Sequence, residues 1–397
     1  MKGFIRFTWC LLLFGFAIFP AQASFTSLYI FGDGVSTTTN NPAAGFEPYY
    51  GLRRSNGRLW VELLAQQLGL TNNFWYSNST ANHLVYTNLS ASSTNWSYSS
   101  NNWSYFGDTA GSLVTNVNAF IAPPAPDASN ALFVVWVNDA DFVYLMENTA
   151  PPYTSNNIAP WTNTINQSIS NHFKAITNLY AKGVRTLVMP NAVDLTEVPQ
   201  FDQLASASRS FARQRMIDFN SAFSATLSNA MVSCPGLKIY EPNFFSLLDN
   251  ILTNAAAYGV TNVLYQGYSI DVIEAYENNY GLLPNDNIDG PGTNYIFWDV
   301  DDPTAKVHAI MAGVAKQLIA PVEIDEITSR NGTNQLELDS VPVGLNGVVL
   351  GSTNLALTNW TTVTNFNSTN TDQSVFVPVS RPMQFYQLYF PFTWTWP

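Results

Sequence analysis

Up to about residue 320 the chain alternates short, unbroken apolar runs with longer stretches of helical periodicity. Residues 26–31 (TSLYIF), 131–137 (ALFVVWV), 184–190 (VRTLVMP) and 237–241 (LKIYE) read as strands, and ALFVVWV and VRTLVMP have the look of strands buried on both faces. Between them, 58–68 (RLWVELLAQQL) carries apolar residues at helical spacing and stops at Gly69, a C-cap signal. Helices are also predicted over 160–182, ending near Gly183, over 204–231 and over 243–257. Asp302-Pro303-Thr304 opens one more, running to about Ile319, with Asp302 as N-cap and Pro303 at the first helical position. Residues 72–118 read as loop-rich. This alternation predicts an α/β layer fold with a mostly parallel sheet, in which sites sit at the carboxyl ends of strands. FGDGVS (31–36) and the pair Asn138-Asp139 each follow a predicted strand, so one crevice can hold both.

After Pro321 the period shortens. VEIDEI, QLELDSV, NGVVLGS, SVFVPV and FYQLYF are short alternating segments separated by Gly, Asn and Ser turns. They predict a small all-β domain of five to seven strands over 321–397. Its aromatic ending, FYQLYFPFTWTWP, reads as a last core strand or as an exposed patch for a sugar or a partner.

At the other end, Lys2 and Arg6 precede an apolar stretch from Thr8 to Phe19 and an Ala21-Gln22-Ala23 site. This is the layout of a secretory signal cleaved after Ala23, too short for a membrane span. The expected organisation is a signal peptide over 1–23, an α/β domain over 24–320 and a β-rich domain over 321–397, with no transmembrane segment after cleavage and an extracytoplasmic location. Cys10 lies at the front of the apolar stretch, not behind it, so it is no lipid-anchor cysteine.

Hydrophobic residues make up 46% of the 397 and charged residues 11%, which supports a sizeable core under a neutral polar surface. Loss of Lys2 and Arg6 takes the formal net charge from −12 to −14. Such a chain repels phosphates, so nucleic acid is an unexpected partner. Only Cys234 would survive cleavage, which excludes an internal disulfide, and its apolar neighbours predict a small buried residue. No CxxC, HExxH or Walker loop is present, so no metal or cofactor is expected.

Four blocks carry the chemistry: FGDG (31–34), RRSNGRLWVELLA (53–65), VVWVNDADF (134–142) and FWDVDDPTAKVHAIMA (297–312). In this order they resemble the GDSL, or SGNH, hydrolases, and the likeness spans roughly residues 26–320. The resemblance implies a flavodoxin-like three-layer α/β/α domain with a parallel sheet, and ester hydrolysis by a Ser-His-Asp triad. It also implies a role for each matched position. Gly34 stands at the nucleophile, where the family has serine. Gly57 and Asn138 match the oxyanion donors, with Trp136 where the family has glycine in the third block. Asp299 matches the triad aspartate, and Asp302 stands at the base, where the family has histidine, followed by Pro303-Thr304 as expected.

Glycine has no atom with which to attack a carbonyl, and loss of a triad serine or histidine costs on the order of a million-fold in kcat. Oxyanion stabilisation alone leaves roughly 10³–10⁴ over water. An aspartate of pKa about 3.9 is a poor base at neutral pH unless buried or paired. Ser36 lies two residues past Gly34, about 200° away if the turn leads into a helix, and reads as a turn or cap residue. His308 lies six residues past Asp302, roughly 9 Å along a helix and off phase, and reads as a packing residue. His83 falls in the loop-rich segment and His172 on a predicted surface helix. Asp139 and Asp141 read as strand-end turn residues. If Asp33, Asp299 and Asp302 crowd one pocket, they share a proton, hold a cation or do carboxylate chemistry, and Trp136 and Trp298 beside them serve as core or as a sugar-stacking surface. Three functions follow: a silent relative binding an ester or carbohydrate; an active hydrolase using Ser36 or a carboxylate-activated water; or a structural cell-surface protein.

Overall fold

In the computed structural model, residues 25–38, 53–70, 102–104, 107–123, 127–260, 263–265, 268–270, 291–355, 360–379 and 384–390 are described. The expected signal segment, His83 and most of the predicted loop region lie outside them. Strands β1 (Leu28–Gly32), β2 (Leu132–Trp136), β3 (Thr186–Val188) and β4 (Lys238–Tyr240) form a parallel sheet in chain order. Every residue of β2 is buried, as its unbroken apolar run requires of a strand covered on both faces. On the free edge of β1, Asn102 bridges Ile30 in parallel, and Trp103 N–H donates to the Ile30 carbonyl at 2.7 Å. The chain therefore steps to one side of β1 at residue 102 and to the other side at β2. That reversal opens a crevice at the carboxyl ends of β1 and β2.

The helices are α1 (Trp60–Gln67), α2 (Ala110–Ala119), α3 (Asn138–Glu147), α4 (Ile158–Ala181), α5 (Ser206–Ser233), α6 (Phe244–Thr253) and α7 (Ala305–Ile319). Trp60 and Phe244 place α1 and α6 on the sheet face that carries Trp136, and α7 packs on α1. Phe120, just past α2, sits against Tyr29 and Phe133 on the opposite face, with α4 outside α2. This is a three-layer α/β/α arrangement, as expected. Two expectations fail. Residues 107–123 are not loop but contain α2, whose polar residues face outward while Ala110, Leu113 and Val117 are buried. His172 is not on a surface face: it is fully buried, 5.1 Å from the Phe223 ring, with its Nδ1 2.8 Å from the Ser168 carbonyl. Cys234 is free and buried.

Beyond Ile319, six strands follow: β7 (Glu323–Arg330), β8 (Thr333–Asp339), β9 (Asn346–Ser352), β10 (Thr361–Asn367), β11 (Gln373–Pro378) and β12 (Phe385–Tyr389), a short hairpin of β5 (Val263–Tyr265) and β6 (Tyr268–Ile270) having come earlier. They make two antiparallel sheets, ordered β11-β8-β7 and β10-β9-β12, around Leu336, Leu338, Val341, Val349, Val375 and Val377. β12 is an edge strand beside β9; Tyr386, Leu388 and the following Phe390 pack on that core, while Gln387 and Tyr389 are exposed. The Lys316 ammonium, 3% exposed, donates to the Ser340 carbonyl and to that of Ala320, fastening this unit to α7. Among the described residues no helix is long and apolar enough to cross a membrane.

The segment before α1 is held by a buried ion pair. Arg53 Nε donates to Glu62 Oε2 at 2.7 Å and Nη2 to Oε1 at 2.5 Å, and Glu62 also accepts the Leu59 N–H at 2.8 Å. Glu62 is thus both the capping-box residue of α1 and the counter-ion of Arg53. Removing one partner strands a buried charge. Glu62→Ala should lower the unfolding free energy by about 3–5 kcal/mol, read from urea denaturation midpoints.

Candidate functional site

The crevice begins where β1 ends. Asp33 N–H donates to the Trp136 carbonyl at 3.2 Å, joining the β1 turn to the end of β2. The Asp33 carboxylate accepts Val35 N–H at 3.2 Å and caps the single 3-10 turn Gly34–Ser36. Only glycine can occupy position 32, because a Cβ there would lie 2.7 Å from Ser36 Cβ and 2.9 Å from Ser104 Oγ. The Ser36 hydroxyl is fully buried and accepts the Trp60 indole N–H at 3.1 Å. His308 is also fully buried, and its Nδ1 accepts the Trp60 backbone N–H at 3.1 Å. Both side chains are therefore bound to the same tryptophan, and neither lines the cavity described below.

The opposite wall comes from the turn before α7. Asp299 Oδ1 accepts the N–H groups of Asp301 at 3.1 Å and Asp302 at 2.8 Å, and Trp298 N–H donates to the Asp302 carbonyl at 2.7 Å. The helix itself starts at Ala305 with Thr304 as N-cap, which corrects the expectation that Asp302 caps it. The second block is stitched to this turn: Ser55 Oγ donates to the Pro303 carbonyl at 3.0 Å, and Asn56 Oδ1 accepts Ala305 N–H at 2.8 Å. Arg54 Nη1 stands 3.4 Å from Asp302, 3.8 Å from Asp301 and 3.9 Å from Asp299. Those three carboxylates lie within 4.8 Å of one another, but the guanidinium already serves as their cation, and a metal ion would have to displace it.

Between the walls is a cavity of about 260 Å³. Gly34, Asp33, Trp136, Asp301, Asp302 and Asp139 line it, together with the apolar Val143, Leu195, Phe244, Leu248, Ile251 and Met311. The structure brings Gly34 and Asp302, matched in the sequence to the family's nucleophile and base, to one cavity. It does not bring the whole expected pocket together: Asp299 and Trp298 lie behind the wall, Asp299 turned to backbone N–H groups and Trp298 fully buried. Gly57 is buried off the cavity, and Asn138 Nδ2 donates to the Pro190 carbonyl at 3.0 Å. Asp139 and Asp141, expected in a turn, sit in the first turn of α3. Asp139 Oδ1 accepts Val193 N–H at 2.9 Å, and Asp141 accepts Ala110 N–H at 3.2 Å.

Burial dominates the electrostatics. It pushes the Asp33 carboxyl up from 3.8 to about 7. It also drives Asp139 well up, helped by the charge of Asp33. Asp302 is raised well above the usual range by burial and then by Asp299 and Asp301, with Arg54 opposing. Burial pushes His308 the other way, to about 3, so its ring is neutral.

The sequence blocks missed much of the cavity. Val193, Leu195, Phe244, Leu248 and Ile251 belong to loops and helices without a motif, and only their apolar spacing marks them. Arg54 was visible in RRSNGR but carried no assigned role.

No protein-family profile matches the chain. It is 23% identical over 343 residues to GDSL esterase/lipase At1g71691 of Arabidopsis thaliana, covering 77% of this chain and 86% of that protein. It is 24% identical over 349 residues to GDSL esterase/lipase At1g73610 of the same organism, covering 78% and 91%. Among solved structures it is similar to an acetyl-xylooligosaccharide esterase from Geobacillus Stearmophilus, with a TM-score of 0.38, 8% identity and coverage of 77% of this chain and 97% of that one. The chain resembles the GDSL/SGNH hydrolases.

Asp33 gives a signed prediction. Its folded carboxyl keeps a proton that the unfolded one has released, so the stability it contributes is present below pH 3.8 and lost as pH rises to about 7. Asp33→Asn keeps the acceptor for Val35 and removes the charge. The variant should gain stability relative to wild type between pH 4 and 8, on the order of 4 kcal/mol. Chemical denaturation at pH 4, 6 and 8 measures it, and a constant difference across that range would refute the assignment.

Proposed function

We propose that this protein is a catalytically silent or strongly impaired relative of the GDSL esterases/lipases, which binds an ester or carbohydrate ligand in the inherited crevice. The observation that carries this reading is the cavity itself. It persists at Gly34 and Asp302, while the serine and histidine nearest to them along the chain, Ser36 and His308, are tied to Trp60 and do not line it. Its largely aliphatic and aromatic lining favours the ester side of that choice, a ligand with an apolar body. The N-terminal Lys2 to Ala23 segment supports export of the mature protein.

A second reading has one observation in its favour. Asp33 lines the cavity beside Gly34, and a carboxyl near pH 7 is a usable general base for a water placed where the serine hydroxyl would be. Hydrolysis of p-nitrophenyl acetate and butyrate separates the two. Wild type, Ser36→Ala and Asp33→Asn should all stay at buffer background, and turnover should appear only in Gly34→Ser/Asp302→His. Wild-type turnover well above background that is lost in Asp33→Asn would establish the carboxylate mechanism and end the silent reading. The same loss in Ser36→Ala would establish a displaced nucleophile.

A further inference from the structure

We propose that the cavity selects organic cations, and that its ester ligands are those of amino alcohols: an ammonium head beside the carboxylates and an acyl chain along the apolar wall. This rests on the cavity being a ligand site, as proposed above, and adds the charge of its occupant.

The lining is one-sided in charge. Asp33, Asp139, Glu147, Asp301 and Asp302 all contribute to it, and among the described lining residues there is no lysine, arginine or histidine. They come from three separate elements: the β1 turn, α3 and the turn before α7. Arg54 touches Asp301 and Asp302 but is not part of the wall, so one guanidinium faces a larger set of acids. Burial raises the Asp33, Asp139 and Asp302 carboxyls, so a cation in the cavity favours the ionised forms that burial opposes. An anionic ligand such as a fatty acid would oppose them further.

Two further features point to the same occupant. The wall is aromatic next to the acids: Trp136, Tyr144, Phe244 and Phe297 all line the cavity, and the Trp136 and Phe244 rings stand 5.1 Å apart at 63°. Ring faces beside carboxylates are how quaternary ammonium groups are held. Trp136 also stands beside an acid: it is 2% exposed, and its indole favours the charged form of the Asp139 carboxyl.

Calorimetric titration of the full chain with three hexanoyl probes tests the proposal: hexanoylcholine, its neutral isostere 3,3-dimethylbutyl hexanoate, and hexanoate. The expected order is hexanoylcholine tighter than the isostere by about tenfold or more, with hexanoate not binding. In Glu147→Gln/Asp301→Asn, at partly exposed positions, the cation advantage should drop to about threefold or less while the circular dichroism spectrum is unchanged. Equal or tighter binding of the neutral isostere overturns the cation inference and leaves the proposed ester site standing. A cation advantage that is unchanged in the double variant also overturns it, because the loss of two of the five lining acids must weaken a preference that those acids create. Failure of both esters to bind overturns the site and the inference together.

Discussion

Trp60 is the residue on which the candidate site depends. Its backbone N–H holds His308 on α7, and its indole N–H holds Ser36 in the β1 turn. Its ring packs edge-on to Trp136 at 5.6 Å and to Phe244 at 5.5 Å. One fully buried side chain thus fixes the relative positions of β1, β2, α6 and α7, the elements whose ends enclose the cavity. The requirement runs in both directions. The buried indole N–H is met by the Ser36 hydroxyl, and the Trp60 backbone N–H by His308 Nδ1. Ser36 and one nitrogen of His308 are thus taken up by the packing around Trp60.

What stabilises Trp60 in turn is the start of α1. The Arg53–Glu62 pair sets the conformation of the RRSNGR segment, and Glu62 closes the first turn of the helix that begins at Trp60. From that anchored segment Arg54 reaches the three aspartates before α7, while Ser55 and Asn56 bond to the backbone there. The second and fourth sequence blocks are therefore one mechanical unit although about 248 residues separate them. Their survival does not require catalysis, since they hold α1 to α7.

The legible part of the sequence was the part governed by periodicity. β2 shows as ALFVVWV because a strand covered on both faces has no polar side, and α1, α4, α5 and α7 show because a single buried face imposes a 3.6-residue period. α2 and α3 did not show. Each carries several Asn, Asp or Ser residues, whose local hydrogen bonding favours turns, and tertiary packing of Leu113, Val117 and Phe142 overrides that preference. His172 was misplaced for a related reason: a lone polar residue on a mixed helix reads as surface unless its facing partners, Phe219 and Phe223, are known. At the site, order along the chain picked out Gly34 and Asp302, and both line one cavity. Which side chains face the cavity was not legible. Asp299 and Asp302 are three residues apart, yet a turn sends one to backbone N–H groups and the other to the wall.

If Gly34 and Asp302 stand where the family has serine and histidine, as proposed above, the exchange does more than subtract a triad. A neutral, proton-accepting imidazole at position 302 would have sat between Asp299 and the cavity. An aspartate there instead places a third carboxyl within reach of Arg54 and adds to the acidity of a wall that already carries Asp33 and Asp139. Burial cannot be relieved by solvent, so these groups hold protons or wait for a positive charge. Meanwhile the apolar remainder, from Val143 to Ile251 and Met311, is untouched by either replacement. On that reading the crevice keeps its apolar lining and gains a carboxyl on its wall. A change of this kind alters which ligands are held without altering the fold that holds them.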